Sequence, residues 1–179
     1  MSGFVVWFTG LPGAGKTTIA TGLTEELERR GLVVDPLDGD VVRTHLSRGL
    51  GFSKEDRDTN IARIAWVASR VARAGGVVLV SAVSPYAEAR RCAREQVTQH
   101  APFVEVHVAT PLDECMRRDP KGLYARALKG EVAELTGLSA PYEEPVAPEL
   151  RLDTTGTAPS ESVTQTVRTL QALGLVSPG

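Results

Sequence analysis

The stretch "GLPGAGKTT", residues 10–18, stands directly behind the apolar run "FVVWFT" at 4–9. The run is short, continuous and rich in branched and aromatic residues, as expected for a strand buried on both faces. Behind the glycines, "KTTIATGLTEELERR" has helical periodicity and ends at Gly31, a natural stop. A glycine-rich turn between a strand and a helix brings successive backbone N–H groups into one concavity. Glycine permits the dihedrals and close approach that a Cβ would block. The spacing Gly10-x-x-x-x-Gly15-Lys16-Thr17 is that of a P-loop. In that motif the lysine reaches the outer phosphates and the Thr hydroxyl can ligate Mg²⁺. This implies a nucleotide and leaves the reaction open.

Outward from the loop, strands and helices alternate. "LVVDPLDGD" reads as a second strand and tight turn, and "DVVRTHLSRGL" as a short helix. "SKEDRDTNIARIAWVASRVARAGG" is the clearest helix, capped by Ser53, with Glu55 and Asp56 in the first turn. "VVLVSAV", "FVEVHVA" and "ELRLDT" read as further strands. Helices are expected over "EARRCAREQVTQ", "PLDECMRR" and "SESVTQTVRTLQAL", the last capped by Ser160. The pattern predicts an α/β fold of the P-loop NTPase type: three layers, with a mostly parallel five-stranded sheet covered on both sides. Residues 1–179 are expected to form one domain. Residues 119–148 fit no element well and carry prolines at 141, 145 and 148. A connection that long in a compact domain is usually functional, and it is read as a lid with a short helix around 124–135.

Composition narrows the class. An apolar fraction of 42%, a charged fraction of 23% and a net charge of −2 fit a soluble globular protein. They give no reason to expect nucleic acid or an anionic membrane as partner. Cys92 and Cys115 are isolated, and His45, His100 and His107 make no ligand set, so a structural metal is not expected. No secretory leader and no apolar run of about 18 residues is recognisable, so a cytoplasmic location is expected.

A phosphoryl-transfer site needs a carboxylate, and "VVLVSAVSP" offers none at its strand end, only Ser81 and Ser84. Asp38 and Asp40, flanking Gly39, lie instead after the second strand, read as buried, at the edge expected to carry ligand. Either could orient Mg²⁺ or accept a hydroxyl proton; an Asp-Gly turn with solvated acids is the plain alternative. Arg43 follows Asp40 by three residues, and Arg57 and Asn60 share a helix face. Together they imply an anionic second substrate, although helix arginines are often merely solvated. Phe52 is core or a stacking surface for a base; spacing does not decide.

These residues resemble the adenylylsulfate kinase family. The carrying stretches are "GLPGAGKTTIA", "LDGDVVRTHLSRGLGFSKEDRDTNIARI", "VLVSAVSPYAEAR", "FVEVHVATPLDECMRRDPKGLYARALKGEV" and "TGLSAPYEEPVAPELRLDT", in that order between Gly10 and Thr154. The resemblance implies transfer of the ATP γ-phosphate to the 3′-hydroxyl of adenosine 5′-phosphosulfate, with Mg²⁺. It implies ATP at Gly10, Leu11, Pro12, Gly13, Ala14, Gly15, Lys16, Thr17 and Thr18, and catalytic roles for Lys16 and Asp38. Asp40, Arg43, Phe52, Arg57, Asn60, Val83, Ser84, Lys121, Leu123 and Tyr142 would join Asp38 around adenylylsulfate, the last three from the lid. Thr17 and Asp38 would hold Mg²⁺ through ATP. Ser84 falls where the family is often described as carrying a phosphoserine, yet no base is visibly paired with it, so a lining role is expected. A homodimer and association with ATP sulfurylase are implied as well. The chain departs from the family in "LPGAGKTT", in "SPY" for "SPF", and in a less basic lid, which leaves room for a related substrate. Kinase action on another small hydroxyl metabolite, a nucleotide-dependent switch and a non-catalytic copy are the competing readings.

Overall fold

The computed structural model describes residues 3–178. Five strands, β1 (Phe4–Thr9), β2 (Val34–Asp38), β3 (Val77–Ser81), β4 (Phe103–Val108) and β5 (Leu150–Leu152), form one sheet in the order β2-β3-β1-β4-β5. Every pairing is parallel. All strands therefore end at the same sheet edge, the edge that carries ligands in open α/β sheets.

Side chains alternate across a strand, and β1 shows what that does here. Phe4, Val6 and Phe8 enter one apolar cluster with Ile19, Leu23 and Leu27 of α1 (Lys16–Arg29) and Leu170 of α7 (Pro159–Ala172). Val5 and Trp7 enter the other, with Ile61, Ile64, Ala65 and Ala68 of α3 (Lys54–Arg73) and Ala93 and Val97 of α4 (Ala87–Thr98). Two buried faces make the three layers.

The helix signals act as expected at two points. Ser53 Oγ accepts from Asp56 N at 3.1 Å. Gly31, at φ 79°, lets the chain leave α1 while Leu32 N donates back to Leu27 O. Three readings need correction. The second strand is not buried: β2 is a sheet edge and half-exposed, because Pro36 has no N–H for a further ladder. Ser160 does not cap α7, because Pro159, with its fixed φ, takes the first helical position and moves the cap to Ala158. The helix of the long connection, α6 (Leu123–Leu128), stops early at Lys129 and Gly130, the latter at φ 77°. The short helices α2 (Gly39–His45) and α5 (Leu112–Arg118) complete the chain. Among the described residues no helix is long and apolar enough to cross a membrane.

Leu23 is fully buried, whereas Trp66 on α3 is 57% exposed. Leu23→Ala is expected to lower stability by about 2–5 kcal/mol through the cavity it leaves. Trp66→Ala is expected to change stability by no more than about 0.5 kcal/mol. Urea melts of the two variants compare them, and equal losses would contradict this packing.

Candidate active site

The turn between β1 and α1 is held from three sides. Gly10 has φ 155°, and a Cβ there would lie 2.3 Å from the Val108 carbonyl oxygen. The Ala14 carbonyl accepts from the hydroxyls of Thr110 and Thr154, each at 2.9 Å. Tyr124 of α6 donates its hydroxyl to the Pro12 carbonyl at 2.8 Å. Inside the turn, Lys16 donates to the Gly10 and Leu11 carbonyls at 2.9 and 2.8 Å. Burial out of water lowers its pKa to about 8. The ammonium sits where an outer phosphate would be met, on weak acceptors that a stronger anion could replace.

Beside it, Thr17 donates its hydroxyl to Asp38 Oδ2 at 2.8 Å. Asp38 closes β2 and caps α2, its Oδ1 accepting from Asp40 N at 3.0 Å. The carboxylate is thus aimed by a strand end and a helix start at once. Hydroxyl and carboxylate oxygens are the donors that Mg²⁺ takes. Among the described residues no group of three or more His, Cys, Asp or Glu side chains could hold a metal by itself. Asp40 points elsewhere, pairing with Lys121 from the long connection.

A second group stands across α2 and α3. Phe52 is 59% exposed and flanked by two guanidinium groups, Arg43 at 4.5 Å and Arg57 at 5.6 Å from the ring centre. The exposed ring is therefore not core. Burial and the charge of Arg57 both lower the Arg43 pKa. Two cations around one ring make an anion welcome there. Arg57 spends three of its five N–H donors inside the protein, on the carbonyls of Phe52 and Glu134 and the Thr136 hydroxyl, at 2.6–2.8 Å. Asn60, one turn on, is buried with Oδ1 unpartnered.

The remaining predicted residues divide. Val83 and Ser84 lie in the loop leaving β3, whose Ser81 pairs with Asp38 in register. Ser84 adopts φ 42° and is only 2% exposed. Its hydroxyl accepts from Trp7 Nε1 at 3.0 Å and donates to the Ala82 carbonyl at 3.1 Å. Tyr142 meets Thr9 at 2.9 Å. Thr9 spends its proton on the Val83 carbonyl at 2.7 Å, so Tyr142 is the donor. Burial pushes the Tyr142 phenol up to about 12 and keeps that proton in place. Leu123 packs into the α1-side apolar cluster.

Sequence reasoning missed the other side of the P-loop. A cleft of about 160 Å³ opens there between Gly15, Thr18, Arg118, Thr154, Thr157 and Ser162. Arg118 donates to the Thr154 hydroxyl and carbonyl at 2.8 and 2.9 Å. No local spacing marks Arg118, Thr154, Thr157 and Ser162 as neighbours of the P-loop, because they come from segments distant from it in the chain.

This arrangement can be set against known proteins. The family model described as "Adenylylsulphate kinase" matches residues 2–153. The chain belongs to the adenylylsulphate kinase family. A Chloroflexus aurantiacus relative named "Adenylyl-sulfate kinase" is 53% identical over 98% of this chain and 92% of its own length. A Sorangium cellulosum protein named "Probable bifunctional SAT/APS kinase 2" is 50% identical over 98% of this chain but only 30% of its own length. The Mycobacterium tuberculosis APS kinase, solved with AMPPNP and APS, superposes with a TM-score of 0.92 at 42% identity. That match covers 95% of this chain and 98% of the other. The family is one of kinases, so the P-loop here serves phosphoryl transfer.

Because Lys16 is partly neutral above pH 8 and a polyphosphate favours its charged form, ATP binding at pH 9 is expected to take up a proton. At pH 7 the lysine is already charged and uptake through it vanishes. Calorimetric titrations in buffers of different ionisation enthalpy measure this. Equal uptake at both pH values would contradict the buried, depressed lysine.

Proposed function

We propose that this chain is an adenylylsulfate kinase that moves the γ-phosphoryl group of ATP to the 3′-hydroxyl of adenosine 5′-phosphosulfate. The observation that carries the reading is that the 119–148 connection reaches both groups: Tyr124 bonds the P-loop at Pro12 and Lys121 pairs with Asp40 beside Asp38, while Arg57, against the Phe52 ring, holds Glu134 and Thr136. A polyphosphate site and an aromatic, cationic site then share one sheet edge.

In this reading the amides of Gly10–Thr18 and the Lys16 ammonium bind the phosphates of ATP, and its adenosine lies toward Arg118 and Thr154. Phe52 stacks on the acceptor's adenine, while Arg43, Arg57 and Asn60 receive its ribose and phosphosulfate. The ribose oxygen forms its bond to the γ-phosphorus as the bond to the β-phosphate oxygen breaks and leaves with ADP. Asp38 takes the hydroxyl proton. Thr17 and Asp38 would hold Mg²⁺, which neutralises charge on the phosphates when bound. Val83 and Ser84 line the acceptor site. Ser84 is not a phosphate carrier in this account, since its hydroxyl is buried and committed to Trp7 and Ala82.

The 119–148 segment acts as a lid. Lys121 releases Asp40 as substrates enter, and closure excludes the water that competes with ribose for the phosphoryl group. The chain works in the cytoplasm as a homodimer and associates with ATP sulfurylase. The Sorangium protein's name, "bifunctional SAT/APS kinase", supports the sulfurylase link.

ADP release measured with and without adenylylsulfate tests the assignment: strong stimulation is expected, and none above the water rate would end it. Asp38→Asn is expected to keep ATP binding and to lower kcat by about 10²–10⁴-fold. An unchanged kcat would remove Asp38 from the proton path.

A further inference from the structure

One buried cation takes no part in the site described so far. Arg90, on the first turn of α4, is 4% exposed. Its guanidinium donates in three directions: to Glu105 Oε1 on β4 at 3.1 Å, to the Ser84 carbonyl at 2.7 Å, and to the Glu143 carbonyl at 2.6 Å. The two carbonyls belong to segments 59 positions apart, the loop leaving β3 and the end of the 119–148 connection. A guanidinium is planar and rigid, so holding both fixes their separation.

Two further bonds join the same segments. Glu143 N donates to the Pro85 carbonyl at 2.8 Å, and the Glu143 carboxylate accepts from Ala87 N at 2.7 Å. The other end of the connection is held differently. Lys121 meets an exposed carboxylate, and Arg57 holds Glu134 and Thr136 through one side chain. The fastening is therefore unequal: around Arg90 every bond that joins the two segments uses a backbone group and one runs backbone to backbone, whereas the Lys121 pair joins two exposed side chains.

We infer that Arg90 is a positioning residue that clamps the root of the lid to the Val83–Ser84 loop, so that lid and acceptor floor keep one geometry while the Lys121 end moves. The inference rests on the proposed acceptor site. Removing the fork orphans the Glu143 carbonyl, leaves the Ser84 carbonyl only a long contact from Thr9 at 3.4 Å and leaves Glu105 to Arg94 alone, and frees Ser84 to leave its uncommon φ of 42°. The P-loop lies outside this clamp.

The test is Arg90→Lys, which keeps the charge and loses the fork. KM for adenylylsulfate is expected to rise by about tenfold and KM for ATP to stay within about twofold. Amide exchange at Ala87 and Glu143 should quicken together, while amides inside α1 keep their protection. If Arg90→Lys does not fold, Glu143→Ala decides instead. It cuts the carboxylate link without touching a buried charge, and should raise the same KM by about threefold. Unchanged or equally raised KM values, or exchange that quickens at only one of the two amides, overturn the inference. Should the wild-type chain show no turnover dependent on adenylylsulfate, the functional reading fails, and the paired exchange alone decides the clamp.

Discussion

A lysine kept out of water by its own loop is the constraint on which this protein depends. Lys16 can stay at the mouth of α1 only because the Gly10 and Leu11 carbonyls turn inward to meet it. They turn inward only because Gly10 fits against Val108 with no side chain between them. An isolated buried ammonium is costly unless it is neutralised or paired. Two neutral carbonyls pair it partly, and the depressed pKa records what they leave undone. A loop in that condition is predisposed toward an anion.

The sheet supplies the second half of the arrangement. Strands that all run parallel must all end at one edge, so β1, β2 and β3 deliver the P-loop, Asp38 and the Val83–Ser84 loop to neighbouring places. Thr17 and Asp38 meet across that edge although 21 positions separate them. The 119–148 connection then spans the same edge. It touches the P-loop through Tyr124, α2 through Lys121, α3 through Arg57 and β1 through Tyr142. Beyond the short α6, its hydrogen bonds go to the site and to its own tight turns rather than to a longer regular element, which is why its periodicity is weak.

Much of this was legible in the chain. The alternation of apolar strands with amphipathic helices announced the layers, and the Gly-Lys-Thr spacing announced the phosphate site, because both are local consequences of backbone geometry. Ser53 was readable as a cap for the same reason. The edge position of β2 was missed although Pro36 signalled it, since an apolar run looks alike in the middle of a sheet and at its margin. Ser160 was misread because a serine cap competed with Pro159 at the next position back, and the ring's fixed φ won. Phe52 stayed ambiguous until its exposure and two flanking arginines were known.

The sequence by itself determined the strand–loop–helix unit, the class of fold, the acids after the second strand and the family resemblance, because each is read from short stretches of neighbouring residues taken in order. Only the tertiary structure decided that Arg57 and Arg90 hold the long connection, that Ser84 is occupied by Trp7, and that Arg118 and Thr154 build the far wall of the P-loop. The reason is range. A backbone dihedral is chosen by its near neighbours, whereas the partner of a buried polar group is whichever distant segment the packed layers bring within 3 Å or so of it.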